Sequence, residues 1–142
     1  MTDLIEVRVS NLIGLALDWA TGIADGRELE LPGAVRGRTS VVWCDPFVVK
    51  RDGHPDFHDK TRRKWQPSTD WSTGGPLIDK YLGSAHHNPH LEDSNCQYSA
   101  GPAGAGIWLY GPTALVAFCR TLVITKLGDT VQVPKELIPC QA

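Results

Sequence analysis

Apolar residues recur at three- and four-residue spacing in two stretches of this chain, residues 10–24 and 113–127, and these lie near its opposite ends. Glycine and proline cut everything between them into short pieces. The 142 residues include 14 Gly and 10 Pro, about 17% together against an average usage near 12%. Such a composition excludes a collagen, a coiled coil and a membrane protein. It leaves an α+β fold, in which two amphipathic helices pack on a small, mainly antiparallel sheet with long Gly/Pro-rich loops. Residues 1-142 are read as one domain, which suits the length.

In the first helical stretch Ser10 is placed to cap the opening turn, and the helix is expected to run to about Ala24. Leu12, Ala16, Trp19, Ala20 and Ile23 share one face, and Asp25-Gly26 closes it. In the second, Pro112 suits a first turn and Gly128 a stop. Leu115, Phe118, Cys119 and Leu122 face inward, with Val116, Val123 and Leu127 beside them. The expected core is Leu12, Ala16, Trp19, Ile23, Leu115, Phe118, Cys119 and Leu122. Strands are expected at residues 4–9, 28–31, 39–43, 47–50, 76–81, 107–110 and 130–133, and one helical turn at 134–138. Residues 52–75 and 83–106 read as loops.

Composition narrows the classes of function. Hydrophobic residues make up 42% and charged residues 21%, a globular balance. The formal net charge of -2 supplies no overall field toward nucleic acid or an acidic membrane. The opening MTDLIEVRVS has no basic segment followed by an apolar one, and no apolar run approaches the ~18–20 residues of a membrane span. A cytoplasmic location is expected. Cys44, Cys96, Cys119 and Cys140 form no CxxC pair, so free thiols are expected, with Cys119 buried on the second helix.

Chemistry concentrates in Trp65-Gln66-Pro67-Ser68-Thr69-Asp70-Trp71-Ser72-Thr73-Gly74-Gly75-Pro76. Two Trp in a segment of small polar residues need a partner, which is either the core or a ligand. In the ligand reading Trp65 and Trp71 offer stacking faces. Gly74 and Gly75 bring backbone N–H groups close, and Ser68, Thr69 and Asp70 add polar contacts. Gly14, Asp18 and Gly22 stand at four-residue spacing in the first helix. Two glycines flanking one carboxylate point to close approach by another chain segment or a ligand, with solvent exposure of Asp18 as the plainer alternative. Arg120, set among Val116, Val123 and Ile124, requires an acidic or anionic partner, either Asp18, Asp70 or a bound anion. Lys50, Arg51, Lys60, Arg62, Arg63 and Lys64 form a basic run, read either as a solvated face or as an anion-binding rim. No Walker loop, dinucleotide fingerprint, nucleophile elbow or HExxH is present.

Four pieces in order carry a family resemblance. They are Leu17-Asp18-Trp19-Ala20, Ser68-Thr69-Asp70-Trp71 with Gly74-Gly75-Pro76, Pro112-Thr113-Ala114-Leu115 leading to Arg120, and Lys126-Leu127-Gly128-Asp129-Thr130-Val131 with Pro134. Together they resemble the NinX-like family of small phage and prophage proteins, a domain of unknown function, over roughly residues 5–138. The basic stretch 50–64 and the His/Gly-rich stretch 84–106 depart from that pattern. The resemblance implies a phage-encoded accessory protein made inside an infected bacterium, and no catalytic residues.

The residues themselves favour a non-enzymatic binder without cofactor. Its ligand is expected to be small and anionic, a nucleotide above all, stacked on Trp71 or Trp65 and met by Arg120 and one or more of Arg62, Arg63 and Lys64; the phage resemblance implies that this nucleotide is a host immune signal. A protein-interaction module docking a host or phage partner is the alternative. A metal-dependent hydrolase using His54, His58, Asp59 and His86 is the third reading. The Trp-rich loops also allow a homo-oligomer with a site between chains.

Overall fold

The computed structural model describes residues 3–34 and 39–138. In chain order the elements are β1 (Leu4–Arg8), α1 (Gly14–Ala24), β2 (Leu29–Glu30), β3 (Val41–Val49), β4 (Phe57–Trp65), α2 (Trp71–Lys80), β5 (Ser84–His87), β6 (Tyr98–Gly101), β7 (Leu109–Gly111), α3 (Ala114–Leu127) and β8 (Thr130–Pro134). Short 3-10 turns cover Val9–Asn11, Pro32–Ala34, Ser94–Cys96 and Lys135–Leu137. The α+β class stands. Its strands form three small antiparallel sheets: β1 with β8, β2-β3-β4, and β5-β6-β7.

Two of the three sheets, β1-β8 and β5-β6-β7, lean on one organising element, α3. Every residue from Leu115 to Val123 is buried, so this helix is covered on all sides. It contacts α1, α2 and each of β5 to β8. Thr113 starts it by accepting from the Val116 N–H at 3.2 Å, which places Pro112 just outside the helix rather than in its first turn. The buried Thr121 keeps its hydroxyl satisfied. Thr121 Oγ1 donates to the Ala117 carbonyl and accepts from the Leu109 N–H, tying β7 to the helix.

Helix α1 begins four residues after Ser10. Gly14 takes φ +65°, a left-handed conformation that prevents the helix from extending back to Ser10. The buried face is also rotated from the expected one. Ala16, Leu17, Ala20 and Thr21 are buried, Trp19 is partly covered, and Ile23 is 44% exposed. The rotation has a cause at Gly22. A Cβ there would lie 2.6 Å from Leu29 Cδ1 and 2.8 Å from Trp65 Nε1, so the side that looked polar in sequence is pressed against β2 and the end of β4.

The largest departures fall in the presumed loops. Residues 52–75 contain β4 and the start of α2, and Pro76–Tyr81 lie in or end that helix instead of forming a strand. Strand β4 hid because it is polar on both faces: its residues from Phe57 to Lys64 are all exposed. Past Trp43 of β3 the pairing with β2 ends, and among the described residues the β3–β4 hairpin projects as a free arm. Residues 83–106 likewise contain β5 and β6. Cys44, Cys96 and Cys119 are free thiols. Burial pushes the Cys119 thiol up to about 12, and Cys140 lies outside the described residues.

Trp65 sits where these elements meet and is 2% exposed. Trp65→Ala is expected to destabilise by ~3–5 kcal/mol, measured as a lowered urea midpoint with an unchanged slope. A loss below about 1 kcal/mol would show that the site collapses freely around the missing ring.

Candidate functional site

The sequence-predicted residues separate into a scaffold and a cleft. The scaffold is a buried junction. Trp65 Nε1 donates to the Asp18 carbonyl at 2.8 Å, while the Ser68 N–H and hydroxyl both donate to Asp18 Oδ1, at 2.9 and 2.7 Å. Asp18 is 2% exposed and Ser68 1%. Burial, only partly offset by the Ser68 bonds, pushes the Asp18 carboxyl up to about 6. Trp65 therefore offers no stacking face to a ligand: its ring packs edge-on to Trp43. The close approach expected around Asp18 is by another segment of this chain.

Gly74 and Gly75 do not form a phosphate-cradling loop. Both lie in α2, and the Gly74 N–H is spent on the Asp70 carbonyl. Asp70 caps this helix by accepting from the Ser72 N–H at 2.9 Å and the Ser72 hydroxyl at 2.8 Å. Those hydrogen bonds, the hydroxyl's first, hold its carboxyl below the usual range. Gly74 is needed because a Cβ there would strike the Pro67 carbonyl and the Leu115 side chain. A strong cap and one tight contact with α3 thus outweigh the poor helix propensity of Gly-Gly-Pro.

The cleft has a volume of about 350 Å³. Ile13 and Gly14 at the start of α1, Ser68, Thr69 and Trp71 at the start of α2, and Pro112, Thr113, Leu115 and Val116 at the start of α3 line it. Trp71 is 60% exposed on its rim. The positive ends of three helix dipoles face one cavity. Asp70 and Thr113 cap two of these helices, but Ile13 gives α1 no side-chain cap, and no acidic residue lies in its first turn. Among the described residues no acidic side chain lines the cleft.

Arg120 and the basic run sit elsewhere than expected. Arg120 is 7% exposed and pairs with neither Asp18 nor Asp70. Its Nε donates to the Leu12 carbonyl at 2.8 Å and an Nη to the Tyr110 carbonyl at 2.9 Å, so it clamps together the segments leading into α1 and α3. Arg62 and Arg63 lie on the arm, outside the cleft lining. Arg62 pairs with Glu30 and Arg63 with Asp45, and Lys60 pairs with Glu28. On β4, His58 and Asp59 alternate across the two faces, and His86 belongs to another sheet. Among the described residues no group of three His, Cys, Asp or Glu could hold a metal.

One cluster escaped the sequence reading. Asp25, expected only to end a helix, has a side chain that is 1% exposed and receives Arg27 Nε at 2.7 Å, Lys80 Nζ at 2.6 Å and the Tyr81 hydroxyl. Burial would raise this carboxyl, but the bonds from Lys80, Tyr81 and Arg27 together hold it below its usual range. The Arg27 guanidinium lies 3.9 Å from the Trp43 ring centroid and 4.3 Å from that of Trp65. The signal available in sequence was weak: an Asp-Gly-Arg turn after an apolar helix.

The Asp18 junction carries a pH dependence of definite sign. Its folded-state pKa lies above the ordinary value, so the native state holds the proton longer than the unfolded chain does. Stability should therefore fall by about 3 kcal/mol as pH rises from about 4 to about 6, then level off. Asn can accept both Ser68 bonds without charge. Asp18→Asn is expected to flatten that slope and to melt at or above the wild-type temperature at neutral pH. Paired melting curves across this range check it, and an unchanged slope in the variant would locate the titration elsewhere.

With the geometry in place, comparison with known proteins adds one finding. Residues 8–126 match the family model described as "Bacteriophage P22, NinX". No curated protein matches the chain.

Proposed function

The chain belongs to the bacteriophage P22 NinX family, and from that premise we propose that it is a non-enzymatic binder acting in the cytoplasm of an infected or lysogenic bacterium. It sequesters a small anionic ligand, a nucleotide that signals a host immune response. The observation that carries this reading is the cleft where three helices start, with Trp71 exposed on its rim and no acidic side chain in its lining. A phosphoryl group seated at Gly14 meets the uncapped N–H groups of α1. Each helix terminus contributes roughly 0.3–1 kcal/mol toward an anion. A base lying on Trp71 adds ~1–3 kcal/mol. Arg120, one helical turn beyond Val116, supports the site as a fixed cation behind the wall. The cleft pairs an apolar wall with donors for charge and presents no nucleophile beside a general base, which suits capture better than turnover.

A second reading draws on the free arm. On one face of the hairpin, Phe47, Val49 and Phe57 are side by side and 39%, 41% and 47% exposed. An uncovered two-stranded ribbon with an apolar tip suits docking on a host or phage protein, or self-association.

Thermal shift with linear and cyclic nucleotides separates the two. A ligand at 100 times its Kd should raise stability by about 2.7 kcal/mol. Trp71→Ala should abolish that shift and leave the unliganded melting temperature nearly unchanged, because the ring is mostly exposed. Phe57→Ser should leave nucleotide binding intact. No shift with any nucleotide, together with co-purification of one host protein that Phe57→Ser releases, would favour the arm.

A further inference from the structure

A second cleft shares no residue with the first. Its volume is about 440 Å³, and Asp25, Gly26, Arg27, Glu28, Trp43, Cys44, Pro46 and Lys80 line it. We propose that this cleft is a separate oxyanion site for a phosphate monoester, with Arg27 as the bidentate receptor and Lys80 as the second cation. This goes beyond the Trp71 cleft and does not depend on it.

The argument rests on how Arg27 is held. Nε is fixed by the buried Asp25 carboxylate, and the guanidinium is set against two indole rings that meet edge-on. Among the described residues its two terminal nitrogens have no hydrogen-bond partner, and the side chain retains 20% exposure in the cleft wall. A guanidinium so fixed presents a planar fork whose ordering cost is already met by folding. That fork matches two oxygens of a phosphoryl group.

The local charge agrees. The Asp25 oxygens are occupied by Arg27, Lys80 and Tyr81, so this buried carboxylate orients the cations rather than facing a ligand. Lys126 adds a further positive charge 5.2 Å from the Tyr81 ring centroid. Glu28, the other lining carboxylate, is drawn onto Lys60 of the arm. Lys80 Nζ uses one donor on Asp25 and retains others for an anion, with its side chain 53% exposed. Trp43 and Pro46 supply an apolar wall for the group that carries the phosphate.

The test follows the Arg27 Nε–H and the Gly26 and Glu28 amides by 15N NMR during titration with inorganic phosphate at constant ionic strength. Saturable shifts at these three groups are expected in the wild type and equally in Trp71→Ala. Lys80→Met, which removes an exposed side chain, should weaken phosphate about tenfold. Arg27→Lys, which keeps the charge and loses the fork, should weaken it at least as much while the protein stays folded. Absence of saturable shifts at Arg27, or wild-type affinity in both variants, would overturn the site. A failure of the Trp71 cleft to bind nucleotide would leave these results untouched.

Discussion

The Asp18 junction makes three distant parts of the chain into one body. A single residue of α1 holds the Trp65 indole through its carbonyl and the start of the α2 approach through its carboxylate. At the other end of α1, Asp25 ties the same three parts together again through Lys80, Tyr81 and Arg27. The junction places a carboxylate in a site that penalises its charge, so its strength comes from directed hydrogen bonds and from the Trp65 surface it seats. The close fit of Gly22 to the same indole explains why a residue unfavourable to helices stands in mid-helix.

From the junction outward, the molecule's polar groups divide by what they do for geometry. Arg120 spends its charge on two backbone carbonyls and so sets the spacing of the α1 and α3 starts. Asp25 sets the plane of Arg27. The ion pairs of the arm, Arg62–Glu30, Arg63–Asp45 and Lys60–Glu28, are half exposed and each contributes little to stability. Their effect is to cancel the basic run locally. The charge that looked like an anion rim in the sequence is therefore largely internal to one sheet.

How much was legible follows from which forces leave a periodic trace. Helix α3, the β8 strand and the Gly128 boundary were readable because burial and stop signals write themselves at fixed spacings. Strand β4 was not, since a ribbon exposed on both faces has no alternation, and α2 was not, since its stability comes from the Asp70 cap and from Gly74 against α3. Trp71 was singled out with its neighbours Ser68 and Thr69, and the three meet at one cleft. Trp65 and Trp71 had equal standing in sequence, and only the Asp18 carbonyl separates them, one as anchor and one as rim. Arg27 left only the Asp-Gly-Arg turn as a trace, because its role depends on two rings from β3 and β4.

The pairing of β1 with β8 joins residues 4–8 to residues 130–134. Helix α3, which every sheet but the arm's leans on, precedes β8 directly. Both features place the decisive contacts at long sequence separation, a topology that folds slowly. During synthesis the first strand emerges long before its partner exists, and α1 waits with Leu17 and Ala20 uncovered until residues 114–127 clear the ribosome. The arm needs neither, because its two strands are neighbours in sequence and close through a short turn at Gly53. The part of the molecule most available to a partner is thus also the part that can form first, while the Trp71 cleft comes into being only once α3 has been made.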